Sequence, residues 1–587
     1  MAFRRSTPPH GLRGPLALAL ILFSAGCGDD DHDAPPTGEP KNVLLISLDS
    51  TRRDLLSAYG HDAPHAPGVP SSPHLDALAA EGAVMLDAYA TTSWTLPSHM
   101  TLLTGQPEVV HAVEIDHLRP DPARSTLASV LQDRGYQTSG FFTGPYLDPR
   151  WGFAKGFDRY EACFGPALTD ATARMKDAQE RQKQAEARRD FAAAKAAWEE
   201  ARAAEQEVDT LSHRDVSSDT VVDRAIDAIE AANAADEPFF VFAHFFDPHY
   251  DYVPPVEHDL FDPSYDGPID GKEFFVNEAI SKFAQTPSGR ERVVDERGLE
   301  HVLALYAGEL RWTDSEVGRL LAKLDELGLA DDTLVIVTSD HGDEFFEHGG
   351  IGHRRTLHEE VVRIPMILRM PGVVPAGARV DGLVSNVDLF GTVLELLGFR
   401  AVQGVRSNSL APLIRGDDDG ADRTVLGRLV TVKQAMIGLP PAPEPIPALV
   451  YAVEETYRVG RVKIQRRRQW PEPSAELPEG LAAKFSEVTR AGRDTEVVRW
   501  IDVESYPDEP DSAWSTDFSS GPPRAALQRF HDEYGSLLND RRSAGTADPD
   551  EDPIAGMAAL GYTDAATTVQ SERFVLPPPG AQVLGER

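Results

Sequence analysis

At 587 residues the chain exceeds the size of one small hydrophobic core, so a large domain with a smaller companion is expected. Its 57 basic and 94 acidic residues give a formal charge of -37, which excludes a nucleic-acid partner, because a phosphate backbone is bound by a basic face. A small anionic substrate is not excluded, since a bound cation makes a local positive pocket in an acidic protein.

The chain opens with Arg4, Arg5 and Arg13 around an apolar run at 15–23, the pattern of an export signal and too short to span a bilayer. The run ends at Ser24-Ala25-Gly26-Cys27, which resembles a bacterial lipoprotein lipobox with Ser24 in place of the usual Leu. Cys27 is therefore the expected lipidation site, and a membrane-anchored position facing the periplasm or cell surface is the expected location. Residues 28–40 are acidic and carry Pro35-Pro36, as suits a solvated tether. Cys163 is the one other cysteine, so no structural disulfide is expected, and it reads as a small buried hydrophobe.

Residues 42–49 (NVLLISLD) form a nearly continuous apolar run ending in an acid, the pattern of a buried parallel strand. Two later runs repeat it: 239–246 leads into Asp247-Pro248-His249, and 333–340 leads into His341-Gly342. Helical spacing at 72–82 and 317–327 places helices between strands. The alternation predicts an α/β fold with a mixed, mostly parallel sheet flanked by helices, whose strand ends gather the ligand. Residues 167–237 contain neither Gly nor Pro, and 167–211 are dominated by strong helix formers, so a long helix or a helical hairpin is predicted as an insertion. No full heptad survives there, which argues against a long coiled coil. Beyond 416, alternation at 448–468 and a helical pattern at 526–538 predict a smaller C-terminal α+β domain. The expected organisation is a leader at 1–27, a tether at 28–40, a catalytic domain at 41–416, the companion domain at 417–562 and a tail at 563–587.

Thr95-Leu96-Pro97-Ser98-His99 with 100–105 (MTLLTG) is the most informative segment. One reading is structural: Thr95 caps a helix running from Pro97. The other is catalytic, because a helix N-terminus also presents free amides to an anion, and both readings can hold together. The segment resembles the sulfatase signature of the alkaline phosphatase superfamily, in which a Cys or Ser converted to formylglycine precedes x-Pro-Ser-Arg. The resemblance implies an alkaline-phosphatase-like fold and a covalent ester hydrolase. It also implies that Thr95, which is not converted, acts as an ordinary alkoxide nucleophile, as in phosphoesterases of that superfamily.

Asp49, Asp340 and His341 have the ligand types for a divalent cation. With Thr95 they resemble the single-metal set of the phosphonate monoester hydrolase branch, which has one early Asp; Ser50 stands where sulfatases carry a second carboxylate. The expected cofactor is one divalent cation, Mn, Zn, Ca or Mg. By the same resemblance His249 falls at the family's active-site His, and Gly352-His353-Arg354 falls where an active-site Lys is found, so His353 or Arg354 assists the leaving group. His244, His348 and His358 cluster in the same segments with weaker claims to a role.

His99 stands at the signature Arg, and Thr143 and Pro145 stand where sulfate-binding Lys and His are expected. Loss of these cations shifts the expected substrate from sulfate esters toward phosphate esters, phosphodiesters or phosphonates, with a small molecule, glycan or lipid as the alcohol part. Three alternatives stay open: a true sulfuric ester hydrolase, an envelope phosphotransferase, and a retired surface protein that binds an anionic glycan. Further landmarks of the resemblance include Trp500-Ile501-Asp502, Pro507-Asp508-Glu509 and the segment 557–562.

Overall fold

The computed structural model describes residues 42–115, 118–212, 217–249, 251–271, 283–286, 289–292, 294–437, 446–473, 496–541 and 545–546. The leader, Cys27, the tether, the segment 557–562 and the tail lie outside the described residues.

A nine-stranded sheet organises the fold. Its strands are β1 (Asn42–Leu48), β2 (Ala83–Tyr89), β3 (Gln137–Phe142), β4 (Arg159–Ala162), β5 (Phe239–Phe245), β6 (Thr333–Ser339), β7 (Arg363–Ile364), β8 (Met366–Arg369) and β9 (Ala378–Ser385). The order is β7-β2-β8-β6-β1-β5-β3-β4, with β9 beside β2. β1 runs parallel to both β5 and β6, and β3 runs parallel to β5 and β4, whereas β8 is antiparallel to β6 and β2. This is the mixed, mostly parallel sheet that the three apolar runs predict.

The alternation of side chains along these strands feeds two separate cores. Val43 and Leu45 of β1, Phe240 and Phe242 of β5, and Leu334 and Ile336 of β6 join one cluster. Leu44, Ile46 and Leu48, with Val241, Phe245, Val335 and Val337, join the other. Register makes this consistent, because Leu45 lies opposite both Phe242 and Ile336. The second core is closed by α1 (Pro73–Glu81), α5 (Ser218–Ala235) and α6 (Glu296–Glu326); the first is closed by α2 (Thr95–Thr104) and α7 (Asp388–Leu396). The sheet is therefore buried on both faces, which is why its strands lack polar alternation.

The Gly-free segment forms a helical hairpin of α3 (Pro166–Ala187) and α4 (Phe191–Ser212). Leu168, Ala171, Met175, Ala204 and Val208 make its narrow seam. The turn between the helices needs no glycine, because Arg189 itself adopts a left-handed φ of 58°. Four antiparallel strands, β10 (Thr424–Ile437), β11 (Ile446–Val459), β12 (Val462–Pro473) and β13 (Val497–Asp502), make the C-terminal sheet in sequential order. α8 (Gly521–Asp540) packs Phe530 and Tyr534 against Tyr457 and Ile464 of that sheet.

Candidate active site

In-phase pairing of β1, β5 and β6 brings their carboxyl ends to one edge. Leu48 pairs with Phe245 and with Ser339, so Asp49 and Asp340 follow immediately beyond a common line, with Asp247 one residue further along its strand end. Ser50 then turns the chain at a left-handed φ of 52°, a conformation that costs a non-glycine residue about 1–3 kcal/mol. It is held there by its amide donating to Asp340 Oδ1 at 3.2 Å and its carbonyl accepting from Tyr306 at 2.7 Å.

Asp49, Asp340 and His341 are fully buried and place one ligand atom each within 4.8 Å of the others. His341 Nδ1 lies 3.0 Å from the Gly342 carbonyl, the partner that takes its proton and turns Nε2 toward the carboxylates. Nε2 stands 3.2 Å from Asp340 Oδ2 and 3.7 Å from Asp49 Oδ1. Asp340 Oδ2 is buried and accepts no hydrogen bond among the described residues. Burial pushes Asp49 up to about 6 against the pull of His341, and burial followed by the charge of Asp49 raises Asp340. For His341 burial opposes the charged ring, but Asp340 and Asp49 outweigh it and raise the group. Two facing carboxylates, an aimed imidazole and an orphaned oxygen in a dry setting fit a divalent cation.

Thr95 Oγ1 lies 3.5 Å from Asp49 Oδ2 and 3.5 Å from His341 Nε2. The capping expectation is corrected here: α2 begins at Thr95 itself, the N-cap is Trp94, and no side chain caps the helix. The Thr95 hydroxyl thereby faces the acid cluster from the first residue of α2, whose N-terminus favours an anion.

His99 packs behind Thr95 and is wholly buried. Its Nδ1 meets the Thr95 carbonyl at 2.9 Å, and its Nε2 meets Ser47 Oγ at 2.9 Å. Burial lowers it to about 3, so it is a neutral ring rather than a stand-in for the signature Arg cation. Thr143 donates to the His244 carbonyl at 3.3 Å, and Pro145 is buried, so neither supplies a positive charge. His244 itself, given little weight from sequence, places Nε2 3.2 Å from Asp49 Oδ2, and burial holds it near 4.

The remaining sequence-derived groups form a second tier. His353 donates from Nδ1 to Asp343 Oδ1 at 2.7 Å, and its ring lies 4.3 Å from that of His341. His249 stacks on Phe246 at 4.2 Å and meets the His353 ring edge at 5.2 Å. Burial, then His341 and Arg354, push His353 well below its ordinary value. Arg354, at a left-handed φ of 66°, lays its guanidinium 4.2 Å over Trp94 and donates to the Tyr146 hydroxyl at 2.7 Å. Sequence reasoning missed Asp343, whose other oxygen accepts from Tyr252 at 2.8 Å. The signal was its position three residues after Asp340 in the same strand-end run. His348 and His358 pair with one another instead, their rings 3.6 Å apart.

A family model described as Sulfatase matches residues 41–399. An ulvan-active sulfatase of Formosa agariphila is 24% identical over 429 residues, covering 70% of this chain and 73% of that protein. Iduronate 2-sulfatase of Homo sapiens is 26% identical over 468 residues, covering 70% of this chain and 74% of its own. Among solved structures, the phosphonate monoester hydrolase of Agrobacterium radiobacter superposes with a TM-score of 0.54 at 20% identity, over 85% of this chain and 95% of that one, a likeness of fold.

Proposed function

The chain belongs to the sulfatase family, and we propose that within it this protein is an exported, lipid-anchored hydrolase of anionic phosphorus or sulfur esters with Thr95 as nucleophile. The observation that carries the reading is the Thr95 hydroxyl, 3.5 Å from both Asp49 and His341 at the head of α2. Asp49, Asp340 and His341 would hold one divalent cation, which supplies Lewis acidity that makes a neighbouring hydroxyl more acidic and offsets charge on the ester oxygens.

In this scheme the Thr95 Oγ–H bond breaks, its proton leaving to solvent, as Oγ attacks phosphorus or sulfur in line and forms a covalent ester, while the bond to the alcohol oxygen breaks. The first-turn amides of α2, His249 and Arg354 bind the equatorial oxygens. His353, oriented by Asp343, delivers the proton that the departing alcohol oxygen takes up; the negative charge of an arriving ester raises its proton affinity from the depressed value of the free site. Water then cleaves the threonyl ester and regenerates the hydroxyl. His99 acts as a positioning residue, tying the Thr95 carbonyl to β1 through Ser47.

The preferred substrates are phosphate monoesters, diesters and phosphonate monoesters ahead of sulfate esters, because His99 is neutral and Thr143 and Pro145 carry no charge. The relatives named as sulfatases support the sulfate alternative. Export and attachment through Cys27 rest on the leader sequence alone. The test is a panel of p-nitrophenyl phosphate, bis-p-nitrophenyl phosphate, a phenylphosphonate monoester and p-nitrophenyl sulfate with added Mn, Zn, Mg or Ca, run on the wild type and on Thr95→Ala. Phosphoryl or phosphonyl turnover that is absent in the variant supports the reading. Turnover of the sulfate ester above the others overturns the substrate preference, and equal turnover by Thr95→Ala overturns the nucleophile.

A further inference from the structure

The long helix α6 turns one face toward the strand-end site, and three side chains at helical spacing on that face, Tyr306, Glu309 and Thr313, each bond to the main chain of the loops opposite. Thr313 donates to the Asp247 carbonyl at 3.1 Å, and Glu309 accepts from the Val253 amide at 2.6 Å, so these two hold the segment that carries His249. Tyr306 reaches the other margin of the site. Its hydroxyl donates to the Ser50 carbonyl at 2.7 Å and accepts from the Arg52 amide at 2.8 Å, bridging the turn that follows Asp49. The phenol is wholly buried, and its ring is met edge to face by Tyr252 at 5.3 Å and by Phe345 at 5.4 Å, so packing fixes where the hydroxyl lies.

Ser50, at the centre of that turn, touches both candidate carboxylates. Its amide donates to Asp340 Oδ1 at 3.2 Å, and its hydroxyl donates to Asp49 Oδ1 at 3.1 Å. Asp340 Oδ1 also accepts from the His341 amide at 2.9 Å, which leaves Oδ2, the oxygen without a donor among the described residues, to face an ion. Ser50 gives both bonds from its left-handed conformation, which a residue with a side chain keeps only where its surroundings hold it. The Tyr306 bridge supplies that hold. Without the hydroxyl, the Ser50 carbonyl and the Arg52 amide would each lose a partner inside a buried turn, and rotation of the turn toward ordinary backbone angles would relieve both the strain and the loss.

We propose that Tyr306 is a positioning residue for the cation: by holding the Ser50 turn it fixes which oxygens Asp49 and Asp340 offer to the ion, and so sets the affinity of the site. The inference rests on the reading of Asp49, Asp340 and His341 as the ligands. Partners that orient ligands without touching the ion contribute about 10- to 100-fold in affinity or activity.

The test is calorimetric titration of chelator-treated, dialysed protein with Mn²⁺ and with Zn²⁺, on wild type, Tyr306→Phe, Ser50→Ala and Tyr59→Phe. Tyr59 is the matched control, because its hydroxyl likewise bridges main chain, accepting from the Met366 amide at 2.7 Å and donating to the Met366 carbonyl at 3.1 Å, on β8 instead of the ligand turn. Tyr306→Phe is expected to bind each ion about 10- to 100-fold more weakly than wild type, and Tyr59→Phe to bind within about twofold of it. Ser50→Ala, which keeps the main chain and removes only the bond to Asp49, should weaken binding several-fold and decides the matter where Tyr306→Phe does not fold. Wild-type affinity in Tyr306→Phe, or in Ser50→Ala if the tyrosine variant is unfolded, overturns the proposal. An equal loss in Tyr306→Phe and Tyr59→Phe also overturns it, by making the effect one of general stability. A wild type that binds neither ion, or binds no better than Asp49→Asn/Asp340→Asn, defeats the ligand reading and this inference with it, whereas binding that needs both carboxylates but ignores Tyr306 defeats this inference alone.

Discussion

The strand-end site and the α3–α4 hairpin treat charge in opposite ways. At the strand ends Asp49, Asp340 and Asp343 are fully buried around His341, with one carboxylate oxygen left without a donor. On the hairpin, Arg174 meets Asp170 and Glu207, and Arg181 meets Asp177 and Glu200, all exposed and all paired. Desolvated like charges destabilise a fold unless a ligand answers them, whereas exposed pairs contribute little in either direction. The buried set is therefore the one shaped by chemistry, and the hairpin is a scaffold whose charges keep it soluble and helical.

Removing one of the facing carboxylates breaks the comparison most sharply. Asp340→Asn should lower kcat/KM on the order of 10³-fold or more, about 4 kcal/mol of barrier, through loss of the cation. In chelator the same variant should melt above wild type, by about 1 kcal/mol or more, because a like-charge contact has gone. A variant less stable than wild type under both conditions would show that the cluster is a structural ion pair. Next in size, His353→Gln should lower kcat about 10²-fold with metal content unchanged. The loss should be larger for esters of poorly acidic alcohols than for p-nitrophenyl esters; an equal loss on both would remove His353 from the leaving-group step.

The buried carboxyl of Glu108 sharpens the comparison, because it is satisfied without a ligand, by Thr91 at 2.6 Å and Thr101 at 3.2 Å. Burial raises it to about 8. The folded state then holds more protons than the unfolded chain between the ordinary glutamate value and about 8, so stability is full below that window and is lost as pH rises through it. Glu108→Gln should flatten this slope, which for one group is at most about 1.4 kcal/mol per pH unit, in denaturant titrations between pH 5 and pH 8. An unchanged slope would mean that Glu108 is ionised in the fold. The smallest effect belongs to the hairpin: Arg181→Ala should leave melting temperature and activity unchanged within error, and a clear loss of either would assign the hairpin a role beyond scaffolding.

Much of the sheet was legible because β1, β5 and β6 are buried on both faces and read as continuous apolar runs. Their in-phase pairing then gathered Asp49, Asp340 and His341, which the sequence could rank only as separate weak signals. The break between α3 and α4 was hidden because Arg189 makes the turn without Gly or Pro, leaving long helix and hairpin equally open. The sequence left Thr95 open between a cap and a nucleophile because a cap is a matter of where the helix starts, and α2 starts two residues before Pro97. The pairing of Asp343 with Tyr252 joins residues far apart in sequence, and the neutral state of His99 follows from its burial in the fold, so neither carries a local signature.

The central claim is that Thr95 carries the transferred group, and the most direct measurement is intact and peptide mass analysis of acid-quenched enzyme during turnover of a poor substrate. The account predicts a chain heavier by one phosphoryl, phosphonyl or sulfuryl group, mapped to the peptide containing Thr95 and absent from Thr95→Ala. An adduct on another residue, or steady turnover by Thr95→Ala with the same metal content, would contradict it.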